Sequence, residues 1–217
     1  MRGVGAQVVH LAFAADGSVK WSSTTGSLID ACSPAIAPDG TVYIGSNDGT
    51  LLSNWVKAGH PVCGIEPTDM AQLANSRGIR SIQSFFNPAA AARAVKECGT
   101  KATVVTATNV FAHIEGIHEI VEGILAMLDD DGVFINESHY LMALIETLQY
   151  DTIYHEHLRY YALQSLKYLL EMHGLEIIHA KRIPTHGGSI RVYAARKGQR
   201  PVQDSVSALL AVEDREL

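Results

Sequence analysis

Downstream of residue 41 the chain alternates short apolar runs with amphipathic stretches, each pair separated by a glycine or a polar turn. Val42, Tyr43 and Ile44 form a β-branched and aromatic run suited to a buried strand, and residues 51–58 carry helical periodicity. A second strand is predicted over residues 61–67 and a helix capped by Thr68 up to Arg77, closed by Gly78. Residues 79–83 form a third strand, and Pro88 suits the first turn of a helix over residues 89–98, stopped by Gly99. A fourth strand follows at residues 102–106. Residues 113–128 read as one long helix with Ile117, Ile120, Val121, Ile124, Leu125 and Leu128 on a single face. Residues 129–132 are a turn and residues 133–136 a fifth strand. Residues 163–173 are helical and end at Gly174. Residues 175–179 and 189–195 read as a closing antiparallel pair, and residues 205–212 as a short amphipathic piece. Alternating strand and helix units of this kind build a parallel sheet covered on both faces, so the fold class is α/β and doubly wound.

Residues 1–40 are patterned differently. Short apolar runs are broken by Ala15-Asp16-Gly17, Thr25-Gly26 and Asp39-Gly40, which are hairpin signals. Gly17-Ser18-Val19-Lys20-Trp21 is echoed by Gly40-Thr41-Val42-Tyr43-Ile44 at a spacing of 23 residues. With Ser33-Pro34-Ala35 between them, these phrases resemble one repeat of a quinoprotein-like β-propeller. A single repeat cannot cover its own apolar faces, so a β-hairpin extension is expected over residues 1–40.

The turn after the first strand of the α/β pattern carries the first candidate chemistry. In Gly45-Ser46-Asn47-Asp48-Gly49 two glycines permit a tight turn and a close approach of backbone to ligand, at the start of a helix whose free N–H groups favour anionic or polar ligand groups. The spacing is neither the phosphate-loop nor the dinucleotide fingerprint. Glu66 ends the second strand about 20 residues further on, where a carboxylate can accept hydrogen bonds from both hydroxyls of a ribose. Asn109 and His113 follow the fourth strand, at the edge where open α/β sheets bind ligands. Tyr154-His155-Glu156-His157 is dense in titratable groups, and if extended it puts His155 and His157 on one side. That spacing suits a metal, but no third ligand is evident, and no metal is expected. Thr185-His186-Gly187-Gly188 fits a tight loop, as a plain turn or as a substrate contact.

Gly45-Ser46-Asn47-Asp48-Gly49-Thr50-Leu51-Leu52, Gly64-Ile65-Glu66-Pro67, Asn109-Val110-Phe111-Ala112-His113-Ile114, Tyr154-His155-Glu156-His157 and Thr185-His186-Gly187-Gly188-Ser189 occur in that order. Together they resemble the S-adenosylmethionine-dependent C-methyltransferases of nucleotide-linked keto-deoxysugars, over roughly residues 45–197. The resemblance implies a class I methyltransferase, Rossmann-like sheet of seven strands. It implies S-adenosylmethionine held by Gly45, Asn47, Asp48, Gly49, Glu66, Pro67, Phe85 and Asn109, and a nucleotide-sugar substrate. It places His113, Tyr154, Glu156 and His157 at the catalytic centre. Methylation at carbon needs a carbanion, so a base must remove a proton beside a ketone, and the enolate oxygen needs hydrogen-bond donors. His157 suits the base with Glu156 orienting it, and Tyr154 with His113 suits positioning of sugar and enolate; His113 as base stays open. Tyr43 stands where the family usually carries an acid, and residues 1–40 hold no counterpart of the family's cysteine-rich zinc segment.

Domain organisation follows: an extension at residues 1–40, a methyltransferase domain at 41–197, and a C-terminal stretch at 198–217 that begins a further substrate domain in the family. The stretch near Gly45 belongs to both resemblances, which points to a chimeric chain joined there. Two other readings remain open: methylation of oxygen or nitrogen on a small molecule, which needs no enolate, and a non-enzymatic binding module built on a propeller fragment. Composition narrows the field further. A net charge of −6 argues against generalised nucleic-acid or anionic-membrane binding, and no apolar run is long enough to span a bilayer. Cys32, Cys63 and Cys98 form no Cys-x-x-Cys pair, which suits free thiols in a reducing, cytoplasmic compartment. Nothing in the sequence sets the oligomeric state.

Overall fold

The computed structural model describes residues 8–13, 19–25 and 42–217. Strands β1 (Val8–Phe13) and β2 (Val19–Thr25) pair antiparallel as a sheet of their own. The turn phrases at Gly26, Ser33-Pro34-Ala35 and Asp39-Gly40, on which the propeller likeness rests, lie outside the described residues.

The second sheet runs in the order β5 (Ser81–Gln83), β4 (Val62–Glu66), β3 (Val42–Gly45), β6 (Ala102–Thr108), β7 (Leu128–His139), β9 (Ser189–Arg196), β8 (Leu175–Ile183). The first five are parallel and β9 runs antiparallel between β7 and β8. The chain winds outward from β3 through β4 to β5, then returns to the other side of β3 through β6. That reversal opens a crevice at the carboxyl ends of β3 and β6, where open α/β sheets bind ligands.

Strand side chains alternate between two apolar clusters. Val62, Val104, Ile135, Ile178 and Tyr193 pack with Leu52 and Trp55 of helix α1 (Thr50–Lys57) and Ala74 of α2 (Met70–Ser76). Their neighbours Cys63, Val105, Phe134, Ile177 and Ala194 pack on the opposite face with α3 (Pro88–Cys98), α4 (Ile117–Met127) and α6 (Leu163–Met172). The period-2 switch between clusters is what a sheet buried on both faces requires.

Three elements differ from the sequence pattern. Residues 129–132 are no separate turn: β7 runs continuously from Leu128, and its register against β6 jumps from Ala102↔Leu128 to Val104↔Val133, a bulge anchored by buried Leu128. The helix predicted from residue 113 starts only at Ile117; Phe111–His113 is a separate 3₁₀ turn, so His113 sits ahead of the helix and not in its first turn. A short helix α5 (Leu141–Glu146) follows β7 where no element is predicted.

The C-terminal stretch ends in helix α7 (Asp204–Glu216), longer than the amphipathic piece in the sequence and packed on α6 and β8. Its Glu213 is fully buried and accepts hydrogen bonds from Tyr140 Oη (2.8 Å) and the Gln164 backbone N–H (2.9 Å). A carboxylate at the start of α6 satisfies its free N–H groups and opposes the helix dipole favourably. Tyr140 responds in turn: burial, then the neighbouring Glu213 carboxylate, pushes its phenol well above the ordinary range. Among the described residues no helix is long and apolar enough to cross a membrane.

Candidate functional site

At the carboxyl end of β3 the turn closes through a hydrogen bond from the Gly49 N–H to the Ser46 carbonyl (2.8 Å). Asn47 and Gly49 both adopt positive φ (45° and 78°). A side chain at Gly49 would be doubly penalised, by that φ and by Ile79 Cδ1 at 2.9 Å from its Cβ. Beneath the turn Ser46 Oγ and Ser81 Oγ lie 3.2 Å apart, in space left by Gly64. A Cβ on Gly64 would fall 2.2 Å from Ser46 Cβ. Gly64→Ala is therefore expected to destabilise the fold by about 1–3 kcal/mol, the usual cost of overpacking, and to displace the turn. Urea unfolding measures it, and an unchanged midpoint would remove Gly64 from this role.

Glu66 closes β4 beside the turn. Its Oε2 accepts from the Asn47 N–H (3.2 Å), and its Oε1 from the Thr68 N–H (3.0 Å) and hydroxyl (2.7 Å). These bonds aim the carboxylate along the carboxyl edge of the sheet and leave it half-exposed. Asp48, by contrast, turns away. It accepts from the Thr50 hydroxyl (2.8 Å) and N–H (3.0 Å) and pairs with Arg77 (2.8 Å), contacts that together hold its carboxyl below its ordinary range. A ligand-binding part for Asp48 is thus confined to its backbone.

Pro67 is exposed next to Glu66, and Phe85 presents its ring to solvent, 77% exposed, just past β5. Phe86 behind it covers an apolar cavity of about 50 Å³ lined by Ile65, Val105, Ala107, Val110 and Phe111. Asn109 follows β6 with φ 53° and donates its N–H to the Glu137 carbonyl (2.8 Å). Gly45, Asn47, Glu66, Pro67, Phe85 and Asn109 thus share one edge of the sheet, at the ends of β3, β4, β5 and β6.

A second group gathers along the same edge, past β6 and β7. Tyr154-His155-Glu156-His157 is not extended: it is a turn closed by the His157 N–H on the Tyr154 carbonyl (3.0 Å). His155 therefore stays in solvent, while His157 folds inward. The His157 ring lies 4.9 Å from His113, 5.4 Å from His139, 4.4 Å from Tyr154 and 5.9 Å from Tyr160, centroid to centroid, and His139 lies 5.8 Å from His186. The Glu156 carboxylate does not orient His157; it points outward, 4.0 Å from His155 Nε2. The orienting acceptor is the Thr152 carbonyl, 3.1 Å from His157 Nδ1.

Tautomers follow from these partners. A carbonyl only accepts, so His157 Nδ1 carries the proton, and Nε2 of the neutral ring is a bare acceptor facing Tyr154 Oη (3.1 Å). His113 repeats the pattern, with Nδ1 2.9 Å from the Glu156 carbonyl. Glu156 thus serves the site through its backbone. Both rings present Nε2 as a proton acceptor.

His139, Thr152 and Tyr160 complete this group without having been read from the sequence. His139 is the last residue of β7, and the signal that could have found it is its place at a strand's carboxyl end. Its pKa is lowered, first by burial and then by the nearby His157, so it resists taking a charge. The floor is a buried ion pair: Arg191 Nη2 and Nε lie 2.7 and 3.0 Å from Glu137 Oε2, and Glu137 Oε1 accepts from Thr185 Oγ1 (3.1 Å). That last bond anchors the turn carrying His186, itself at φ 50°. Burial opposes the Arg191 charge, and the Glu137 carboxylate together with Tyr193 more than offsets it, leaving the guanidinium pKa raised.

A profile described as "Methyltransferase domain" matches residues 26–180. The chain belongs to the methyltransferase-domain family. Within that family it is 38% identical over 194 residues to the C-methyltransferase NovU of Streptomyces niveus, covering 86% of this chain and 45% of that protein. The chain thus spans about half the length of this curated relative. Solved methyltransferases share the fold at low identity. Magnesium protoporphyrin IX methyltransferase from Synechocystis PCC 6803, with bound S-adenosylhomocysteine, matches with a TM-score of 0.55 at 14% identity, over 73% of this chain and 74% of that one. An S-adenosylmethionine-dependent methyltransferase from Clostridium acetobutylicum matches at 0.56 and 13%, over 75% and 86%.

Proposed function

We propose that the chain is an S-adenosylmethionine-dependent C-methyltransferase acting on a nucleotide-linked 4-keto-deoxysugar through an enolate. The observation that carries the carbon-directed reading is the Nε2 acceptor of His157 against the Tyr154 hydroxyl, with the His113 ring packed next to His157, since transfer to oxygen or nitrogen needs no carbanion. The C-methyltransferase relative supports it.

The residues at the sheet edge fit the cofactor. The Glu66 carboxylate keeps lone pairs for ribose hydroxyls, the exposed Phe85 ring offers a stacking surface for adenine, and the backbone at Gly45, Asn47 and Gly49 lets a ligand approach. Asn109 offers amide hydrogen bonds to the methionine end. When bound, S-adenosylmethionine supplies an electrophilic methyl group. The protein's own work is to make the acceptor carbon nucleophilic. His157 Nε2 takes the proton next to the ketone. The Tyr154 hydroxyl leaves that nitrogen for the carbonyl oxygen and holds the charge as it develops. His113 stands beside His157 and holds the sugar.

The test of the cofactor half is calorimetry with S-adenosylmethionine. Glu66→Ala should weaken binding by about 1–3 kcal/mol, the cost of a lost charged acceptor. Equal affinity in parent and variant would take Glu66 out of the site.

A further inference from the structure

Away from the crevice two histidines from different helices meet at the surface. His118 lies in the first turn of α4, and His173 follows the last residue of α6. His118 Nδ1 is 2.8 Å from His173 Nε2, with the rings 5.1 Å apart and 40° from parallel. His118 is exposed and His173 half-buried. Two neutral imidazoles at this distance share one proton, so both facing nitrogens direct their bonding orbitals into one gap.

We propose that His118 and His173 form a two-imidazole site for a divalent transition metal, with Cu²⁺ preferred, that clips α4 to α6. Metal–imidazole bonds of about 2.0–2.1 Å span a 2.8 Å gap at an angle of about 85–90°. That is a cis corner of a square-planar or octahedral shell; a tetrahedral angle would separate the nitrogens by about 3.3 Å at the same bond length. Tetragonal nitrogen and oxygen sites suit Cu²⁺ and Ni²⁺, and the Irving–Williams order puts Cu²⁺ ahead of Ni²⁺ and Zn²⁺. No group of three or more His, Cys, Asp or Glu side chains among the described residues is placed to hold a metal. Water therefore completes the shell. The ring that donates the shared hydrogen bond carries its proton on the outer nitrogen once the metal binds, and binding weakens as pH falls because an imidazolium has no lone pair to ligate with.

The clip has a route to the crevice. Arg159, two residues after His157, donates to the carbonyls of Ile114 and Glu115, the second at 2.7 Å. The segment joining His113 to α4 is thereby tied to the turn that carries His157. A cation fixing the start of α4 fixes one end of that segment.

The experiment is a CuCl₂ titration of the untagged chain, read by calorimetry and by electron paramagnetic resonance. One preferred equivalent is expected, with hyperfine splitting from two nitrogens. His118→Ala and His173→Ala should each weaken it on the order of 10–100-fold, at least the loss that outer-shell changes cause at metal sites. His157→Ala should leave it unchanged. Because His118 is exposed and His173 lies half-buried at a helix end, thermal unfolding in metal-free buffer should stay close to the parent, which separates lost ligation from lost fold. Copper affinity unaltered by both surface variants, a signal lost in His157→Ala, or no preferred equivalent at all would overturn the assignment.

Discussion

Replacing His157 by alanine is expected to slow exchange of the substrate's α-proton with deuterated water by about 10²–10⁴-fold, the usual contribution of a positioned general base. A hydrogen-bond chain prepares His157 for this. Thr152 accepts from Nδ1 of His157 and so leaves Nε2 bare, 3.1 Å from Tyr154 Oη. Exchange reports proton removal alone, because methyl transfer is not required for it. Tyr154→Phe keeps the ring against His157 but removes the hydroxyl that would hold the enolate. It should therefore slow exchange while leaving S-adenosylmethionine affinity intact. His113→Ala should retain more exchange than His157→Ala, since His113 is assigned to holding the sugar. The opposite ranking would move the base to His113, and parent-like exchange in both histidine variants would remove the base from this cluster.

The largest stability effect is expected from Arg191→Ala. The Arg191 and Glu137 side chains are 3% and 1% exposed, so loss of the guanidinium leaves a buried carboxylate without its counter-charge. Breaking such a pair from one side costs about 3–5 kcal/mol, whereas replacing both partners by apolar groups of similar volume is often neutral. Urea unfolding of Arg191→Ala and of the double variant Glu137→Leu/Arg191→Leu should show that contrast. The double variant should nonetheless lose activity, because Thr185 loses its acceptor and the His186 turn its anchor. A single variant as stable as the parent would mean that the pair contributes little to the fold.

These residues also mark how far the sequence was readable. The alternation of strands and helices from Gly45 was legible because each strand is buried on both faces and bounded by a glycine or a cap. The glycine turn and Glu66 were legible because their separation along the chain reflects adjacent parallel strands. The end of β7 was not. Its continuation past Asn136 through Glu137 and Ser138 is polar, and the Glu137 carboxylate is buried only because Arg191 and Thr185, some 50 residues later, come back to meet it. A single-sequence pattern treats such residues as loop, and His139 is lost with them. The same applies to Glu213: an acid within an exposed-looking helix becomes the cap of α6 only through a tertiary contact. Within the Tyr154 to His157 run, an extended backbone assigns the orienting role to Glu156. The turn that actually forms hands that role to the carbonyl of Thr152. Backbone acceptors carry no residue signature, so no motif reveals them.

The most direct measurement of the central claim is the fate of an isotope-labelled methyl group. The chain would be incubated with S-adenosylmethionine carrying a ¹³C methyl and a nucleoside diphosphate-linked 4-keto-deoxysugar, and the product examined by carbon–proton correlation spectroscopy. The account predicts the labelled methyl bonded to a ring carbon next to the ketone, with the proton of that carbon gone. A label found on oxygen or nitrogen would contradict it.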